Sequence, residues 1–358
     1  MNTEMFIQHF FNALALGSLY GLIAIGYTMV YGILRLINFA HGDIFMLGAY
    51  FVFFSTISFM PAWVAVLLIL LALLIYYSVF IGFKKRPEIY WIAILFILIL
   101  GLIYYSKIAP QNFTPIWILA ICFSIFITSA LGIAVDQCAY KPLRNAPRIS
   151  VLISAIGISF FIENLATVLF SGVPKGVKQP DFLVTPIQWH FGQGSDAIIR
   201  ISPMSFIVPV VSFILVVLLL WIIHRTKPGL AMRAISHDIE TARLMGVSVN
   251  KIIAFTFAIG SALGAIAGIM WALRYPQIQP YMGILPGLKA FIATVIGGIG
   301  SILGAMLGGL LLGFLEIMII AFFPALSGYR DAFAFILLIV ILLVMPTGLM
   351  GKKSQEKI

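Results

Sequence analysis

Residues 286–323 read PGLKAFIATVIGGIGSILGAMLGGLLLGFLEIMIIAFF, and this stretch decides the class of fold. It is apolar almost throughout, and it is longer than the roughly 20 residues that a helix needs to cross the hydrocarbon core of a bilayer. Glycines interrupt it at Gly297, Gly298 and Gly300. We therefore predict a membrane-embedded helical segment that is either two spans or a half-helix followed by a span.

Composition extends this interpretation to the whole chain of 358 residues. Hydrophobic residues make up 62% and charged residues only 9%, with a mean hydropathy of +1.11. A soluble domain carries about 25% charged residues, because it must cover its core with polar surface. The hydrophobic segments lie at about 8–33, 44–59, 62–83, 89–106, 112–138, 149–171, 204–224, 252–274, 286–323 and 331–349. We predict a single all-α domain over residues 1–358, a polytopic membrane protein of about 8–11 transmembrane helices with Gly-rich broken or re-entrant segments.

The net charge of +10 does not indicate nucleic-acid binding, because the basic residues are not gathered in one basic domain or arm. They lie in short connections between apolar segments, as the positive-inside rule expects. The rule places residues 84–88, 139–148 and 224–251 in the cytoplasm, together with the C-terminal tail. It places residues 172–203 outside. The side of the N-terminus stays open, because residues 34–48 are compatible with a re-entrant loop.

The sequence contains no motif for an enzyme or a cofactor. It lacks a phosphate-binding G-x-x-x-x-G-K-[ST] loop, a G-x-S-x-G nucleophile elbow and an H-E-x-x-H zinc motif. Cys122 and Cys138 fall on one predicted helix, about 24 Å apart along its axis, which is too far for a disulfide. We therefore predict no catalytic residue, no cofactor and no metal site.

Residues 225–251 form the longest connection on the predicted cytoplasmic side. Asp238 is a suitable helix N-cap, and a short amphipathic helix after it would suit docking into a groove on a soluble partner. A solvated basic loop near anionic lipid is the alternative, and the residues alone do not choose between the two. The predicted apolar face consists of Ala242, Leu244, Met245 and Val247 and ends at Gly246. The charged docking candidates are Arg233, Asp238 and Arg243.

Polar residues beside or inside the apolar segments form a second candidate site. The candidate pathway residues are Asn38, His41 and Asp43 in one group and Glu163 and Asn164 in another. Polar residues at membrane depth are costly and indicate a pathway by default. The alternative for the first group is an interface turn with a structural histidine, and for the second a structural buttress. Glu316 is a weaker case of the same kind.

Six short motifs follow one another in order over nearly the whole chain. They are GYTMVYG at 26–32 with INFAHGD at 37–43, YKPLR at 140–144, ISAIG at 153–157, the segment 232–247, GGIGS at 297–301 and PTG at 346–348. Each motif is weak alone. Together they resemble the permease subunits of branched-chain amino acid ABC transporters. The short N-terminus and the Asn-Phe-Ala-His-Gly sequence are similar to the H-type of the two related permeases in such systems.

The resemblance implies an importer in the bacterial inner membrane, surrounded by membrane lipid and fed by a periplasmic solute-binding protein. This chain would pair with a second related permease. Two cytoplasmic ATPase subunits would dock on the membrane pair at residues 225–251. The resemblance therefore makes the docking candidates named above candidates for coupling to the ATPase. The expected substrate is a branched-chain amino acid, and similar permeases carry urea, short amides or other amino acids. An ion-coupled secondary carrier and a structural membrane scaffold are alternatives of other classes.

One departure from the family's usual length lies at residues 61–110. These additional residues read as an inserted transmembrane hairpin around the Lys-Lys-Arg sequence at 84–86. An even number of added spans leaves the downstream topology unchanged. We therefore expect the hairpin to be dispensable for transport.

Overall fold

The computed structural model describes residues 3–56, 62–81, 114–144, 146–190 and 198–351. The helices of these residues are α1 (Thr3–Leu34), α2 (His41–Thr56), α3 (Ala62–Tyr76), α4 (Thr114–Val135), α5 (Arg148–Phe170), α6 (Asp181–Val184), α7 (Met204–Arg225), α8 (Lys227–His237), α9 (Ile239–Leu244), α10 (Val249–Arg274), α11 (Ile284–Gly297), α12 (Ile302–Phe322) and α13 (Arg330–Val344). Short π or 3-10 turns at Tyr77–Ile81, Asp136–Tyr140, Lys141–Leu143 and Pro324–Tyr329 adjoin α3, α4 and α13. In this part of the chain seven helices are long and apolar enough to cross a membrane. The prediction of an all-α polytopic membrane protein is confirmed.

Close backbone contacts between α1 and α12 form the centre of the helix bundle. A Cβ added to Gly17 would lie 2.7 Å from the Cα of Leu310, closer than real Cβ atoms approach, and Gly309 and Gly313 contact α1 in the same way. Because lipid tails are as apolar as side chains, helices in a membrane associate mainly through small residues that let backbones pack closely. The glycines of the stretch quoted first therefore form the packing seam of α12 on α1.

The second central helix is α10, which packs against α1, α2 and α4. A Cβ on Gly48 of α2 would lie 2.5 Å from the Cα of Ala265, and Gly268 faces the backbone carbonyl of Phe45. Ser124 of α4 donates a hydrogen bond of 2.7 Å to the carbonyl oxygen of Gly48. Ser129 of α4 donates a second buried hydrogen bond, of 2.9 Å, to the carbonyl oxygen of Ala258 on α10, so close backbone approach and two hydrogen bonds hold the three helices together.

Two short helices, α2 and α11, begin inside the bundle and not at its ends. The ring of His41, the first residue of α2, lies between Gly26 of α1 and Gly264 near the middle of α10. Gly283 precedes α11, and its carbonyl oxygen would lie 2.6 Å from a Cβ on Gly42. The N-termini of the two half-helices therefore meet within the bundle.

The stretch quoted first divides into a half-helix and a span, which resolves the two predicted alternatives. Helix α11 ends at Gly297, residues 298–301 form a turn, and α12 follows. The turn requires glycine because φ is +101° at Gly298 and +92° at Gly300, a region that residues with a side chain rarely adopt.

Helix α1 begins at the same end of the bundle as the described residues 172–190 and 198–203. Gln8 donates a hydrogen bond of 2.9 Å to the carbonyl oxygen of Arg200, and Arg274 donates one of 3.0 Å to Asn12. Two antiparallel strand pairs lie at this end, β1 (Lys175–Gly176) with β4 (Gln277–Ile278) and β2 (Ile187–His190) with β3 (Ile198–Ile201). The N-terminus therefore lies on the side that the charge pattern predicts to be outside.

The described part of the predicted inserted hairpin, 61–110, is α3 with its π turn. Ile69 is fully buried against a cluster that includes Phe123 of α4, whereas Leu74 is 61% exposed. Helix α3 thus packs one face on the bundle and leaves the other open. Residues 82–110 lie outside the described residues, and dispensability of the hairpin stays a prediction.

Candidate functional site

A cavity of about 210 Å³ lies where the two half-helices meet α5. Its lining includes Tyr27, Asp43, Ser159, Glu163, Gly287 and Phe291. Most of the wall is apolar, and its polar groups converge on one side. An apolar pocket with a few convergent polar groups is the usual form of a small-molecule site.

Asp43 and Glu163 come together at this cavity from α2 and α5. Asp43 lies in the first turn of α2, where the helix dipole favours negative charge. Ser159, one turn before Glu163 on α5, donates a hydrogen bond of 2.5 Å to Asp43 across 116 residues of sequence. The carboxyl groups of Asp43 and Glu163 line the same cavity and are close enough to interact with each other. Both residues are buried, with 2% and 5% exposure, so the structure joins one residue from each predicted pathway group.

The other candidate pathway residues lie around the cavity and do not line it. Asn38 is buried, and its side-chain oxygen accepts a hydrogen bond of 2.7 Å from Tyr140. His41 is buried between α1 and α10. Asn164 lies on the exposed face of α5 and donates to the carbonyl oxygen of Phe160 at 2.7 Å. Asn38 and His41 thus hold the break before α2 in place.

Of the lining residues, only Asp43 and Glu163 were candidates from the sequence, and the residues that it missed include Tyr27, Ser159 and Gly287. Tyr27 lies inside the GYTMVYG motif, and Ser159 is one helical turn from Glu163. Gly283 and Gly287 have the four-residue spacing of small residues that permits close helix approach. That spacing is the signal that could have located the junction with α2.

A second polar cluster ties α11, α12 and α13 together. Lys289 Nζ lies 2.9 Å from Glu316 Oε1 and 2.6 Å from Asp331 Oδ1. Tyr20 donates a hydrogen bond of 3.0 Å to Glu316 Oε2, and Arg330 Nε lies 3.4 Å from Oε1. Glu316 is therefore an ion-paired carboxylate between helices. The signal that could have identified its partner is the single lysine in the apolar stretch 286–323, since charges at membrane depth require partners.

Residues 225–251 fold into two short helices at the opposite end of the bundle from the start of α1. Thr226 caps α8 through its side chain. Asp238 caps α9, accepting hydrogen bonds from two backbone N–H groups, which confirms the predicted N-cap. Gly246 follows α9 with φ +83°, and Val247 after it is partly buried. The segment is a defined two-helix unit and not an irregular basic loop.

The predicted apolar face of this unit divides into an exposed part and a buried part. Leu244 and Met245 are 87% and 80% exposed, and Arg233 and Arg243 are exposed as well. Ala242 is only 4% exposed. The prediction that Ala242 lies on the exposed face is therefore wrong. Ala242 is the fourth residue after the cap at Asp238, and the first turn of α9 directs it toward the bundle. Of the predicted face, the exposed apolar side chains are therefore Leu244 and Met245.

Comparison with known proteins places this sequence in a family. The sequence model of a family described as branched-chain amino acid transport system / permease component matches residues 9–342. The high-affinity branched-chain amino acid transport system permease protein LivH of Salmonella typhimurium is 36% identical over 353 residues, covering 99% of this chain and 98% of that protein. The corresponding permease protein BraD of Pseudomonas aeruginosa is 39% identical over 356 residues, with the same coverage.

More distant similarity extends to sugar import permeases. The fructose import permease protein FrcC of Rhizobium meliloti is 33% identical over 132 residues, 34% of this chain and 35% of that protein. No solved structure matches. By the family match over most of its length and by its full-length relatives, this multi-pass membrane protein belongs to the family of branched-chain amino acid transport system permease components.

Proposed function

We propose that this chain is one of two permease subunits of an ATP-binding-cassette importer for leucine, isoleucine and valine in the bacterial inner membrane. The near full-length similarity to LivH and BraD carries the proposal, since their names describe high-affinity branched-chain amino acid transport. A periplasmic solute-binding protein delivers the substrate. Two cytoplasmic ATPase subunits supply the energy, because this sequence has no phosphate-binding loop of its own.

The cavity between the half-helices is our candidate for the translocation pathway. Backbone breaks at membrane depth are tolerated where they are buried in protein or line a cavity, and broken helices form substrate sites in other transporters. Asp43 and Glu163 supply the polar groups of the pathway. Asn38 and His41 position the break that opens it.

The second permease closes this pathway on the side of α5. Polar groups at membrane depth normally face protein or a water-filled cavity, yet the face of α5 beside the acidic pair is exposed at Phe160 and Asn164. A related chain against that face would separate the cavity from lipid. We therefore assign Asn164 to the contact between the two permeases.

The two-helix unit at residues 225–251 is the candidate coupling element. Leu244 and Met245 provide an apolar contact for a groove on the ATPase subunit, while Arg233 and Arg243 add charge at the rim. When the ATPase subunits close on ATP, the grooves on their surface move. The two-helix unit moves with them because it is docked in a groove. Access alternates between the two sides because the permease pair makes different contacts in the two states.

Uptake of labelled leucine, isoleucine, valine and urea, in cells with and without this chain, tests the proposal. We expect uptake of the three amino acids to depend both on this chain and on ATPase subunits that hydrolyse ATP. Amino-acid uptake that persists with hydrolysis-deficient ATPase subunits would favour an ion-coupled secondary carrier. Chain-dependent uptake of urea alone would assign the chain to another substrate within the family.

A further inference from the structure

Asp43 and Glu163 are buried carboxyl groups that face no cation within the described residues. None of the ion pairs found there includes either residue. Two carboxylates this close in a site withdrawn from water cannot both remain ionised without compensation. Such a pair needs either a shared proton or a cation close to it.

The other buried acids of the described chain are compensated differently. Asp136 is paired with Arg144 at 2.6 Å, and Glu316 with Lys289 at 2.9 Å. Buried acids away from the cavity thus have a fixed cation from the protein. The two acids that line the cavity have no such cation within the described residues. A positive charge beside them must therefore come from a molecule that enters the cavity.

The rest of the cavity suits a small molecule with an apolar body. Phe160, Leu288 and Phe291 contribute apolar wall. Gly283 and Ile284, at the start of α11, line the cavity, so the positive end of that helix dipole lies beside it. The volume of about 210 Å³ lies below the 300–1,000 Å³ of sites for drug-sized ligands and suits a single amino acid.

We propose that the Asp43–Glu163 pair binds the primary ammonium group of a zwitterionic aliphatic amino acid. The substrate carboxylate lies toward the N-terminus of α11, and its aliphatic side chain packs against the apolar wall. The permease therefore has a substrate site of its own, in addition to that of the binding protein. This inference rests on the proposed function and assigns a chemical role to its pathway residues.

Ligand competition on the wild-type protein tests the ammonium group directly. The full-length chain, isolated with the subunits that co-purify with it, is equilibrated with labelled leucine and competitors. Isoamylamine keeps the ammonium and the aliphatic chain of leucine but lacks the carboxylate, and isocaproate keeps the carboxylate and lacks the ammonium. We expect isoamylamine to displace leucine and isocaproate to displace it far less.

Neutral variants of the pair provide the second arm. Asp43→Asn and Glu163→Gln should each weaken leucine binding by about ten- to one-hundred-fold, the effect of losing a hydrogen bond to a charged group. Glu163→Asp keeps the charge on a shorter side chain and should bind more tightly than Glu163→Gln. Glu4→Gln, the same chemical change near the start of α1 and remote from the cavity, should bind as wild type.

Several outcomes would overturn the inference. They are absence of leucine binding to the wild-type protein, equal displacement by isocaproate and isoamylamine, wild-type affinity in both neutral variants, and displacement of leucine by millimolar sodium or potassium. The last would mark an inorganic cation site. Failure of the proposed function is distinguishable, because it is the loss of chain-dependent amino-acid uptake in wild-type cells, whereas these outcomes can occur in a chain that transports leucine.

Discussion

Lys289 on α11 and Glu316 on α12 form an ion pair of 2.9 Å inside the bundle, where the two residues are only 5% and 1% exposed. Each charge lies in an otherwise apolar helix. Removing a charge from water costs several kcal/mol per ion, so each of these groups is tolerated because the other neutralises it. Through Asp331, at 2.6 Å from Lys289, the pair also reaches α13.

Breaking this pair on one side should destabilise the protein. Lys289→Met leaves Glu316 buried without its nearest cation, and we expect a loss of about 3–5 kcal/mol in the free energy of unfolding. The double variant Lys289→Met/Glu316→Gln should recover much of the loss, because no unpaired charge remains. Thermal unfolding in detergent measures both, with Lys178→Met on the outer connection as control. A wild-type midpoint for Lys289→Met would show that Arg330 alone neutralises Glu316.

Charge on the exposed apolar pair of α9 should separate the permease from its ATPase. Leu244→Glu and Met245→Glu leave membrane insertion and thermal stability unchanged, since both side chains lie in solvent. We expect reduced co-purification of the ATPase subunits and loss of uptake. Leu244→Met, which keeps an apolar side chain of similar volume, should retain both. Normal ATPase binding in the two Glu variants would place the docking surface elsewhere.

The effect of a substitution at Gly246, in the turn after α9, should depend on the backbone conformation there and not on steric clash with neighbouring atoms. Gly246 has φ +83° and no neighbour within 4 Å of an added Cβ. In this left-handed region a side chain costs about 1–2 kcal/mol, and Asn is tolerated better than most residues. Gly246→Val should therefore lower ATPase co-purification and uptake, whereas Gly246→Asn should be close to wild type. Equal effects of the two variants would contradict the conformational explanation.

The packing of α2 on α10 should be sensitive to a single methyl group. A Cβ on Gly48 meets the backbone at Ala265, at 2.5 Å, and backbone cannot move aside as a flexible side chain can. Gly48→Ala should lower the thermal midpoint and the yield of folded protein. Gly32→Ala on α1, where an added Cβ has open space, should be neutral or stabilising by up to about 1 kcal/mol. Comparable losses in both variants would argue against specific contact at Gly48.

Topology can be tested by cysteine labelling in a background without Cys122 and Cys138. Cysteine at position Glu4 or Val184 should react with an impermeant reagent in spheroplasts, because α1 starts at the end of the bundle that holds residues 172–190, which we predict to be outside. Cysteine at Glu240 should react only after lysis. Reaction at Glu240 and not at Val184 in sealed spheroplasts would invert the orientation.

The helical class and the order of the segments follow from local properties of the sequence. Each span is apolar over the length of a bilayer, and in lipid a helix must satisfy its own backbone hydrogen bonds, so hydropathy alone predicts α7 and α10 closely. The cap at Asp238 is equally local, because side chain and backbone are two residues apart. The break between α11 and α12 is local as well, and Gly297, Gly298 and Gly300 predicted it.

The composition of the site was decided only by the tertiary structure. Asp43 and Glu163 were each suspected, but nothing in the sequence joined them, since their meeting depends on how closely α2 and α11 approach at Gly42 and Gly283. The apolar character of Ala242 led to the prediction that it lies on the exposed docking face. In the structure it is buried, because its position along α9 points it toward the bundle. The sequence by itself therefore determined a polytopic helical permease and its spans, because hydropathy and capping act within one segment. Only the packing of backbones at glycine contacts decided which polar groups face the cavity, because those contacts join segments far apart in the chain.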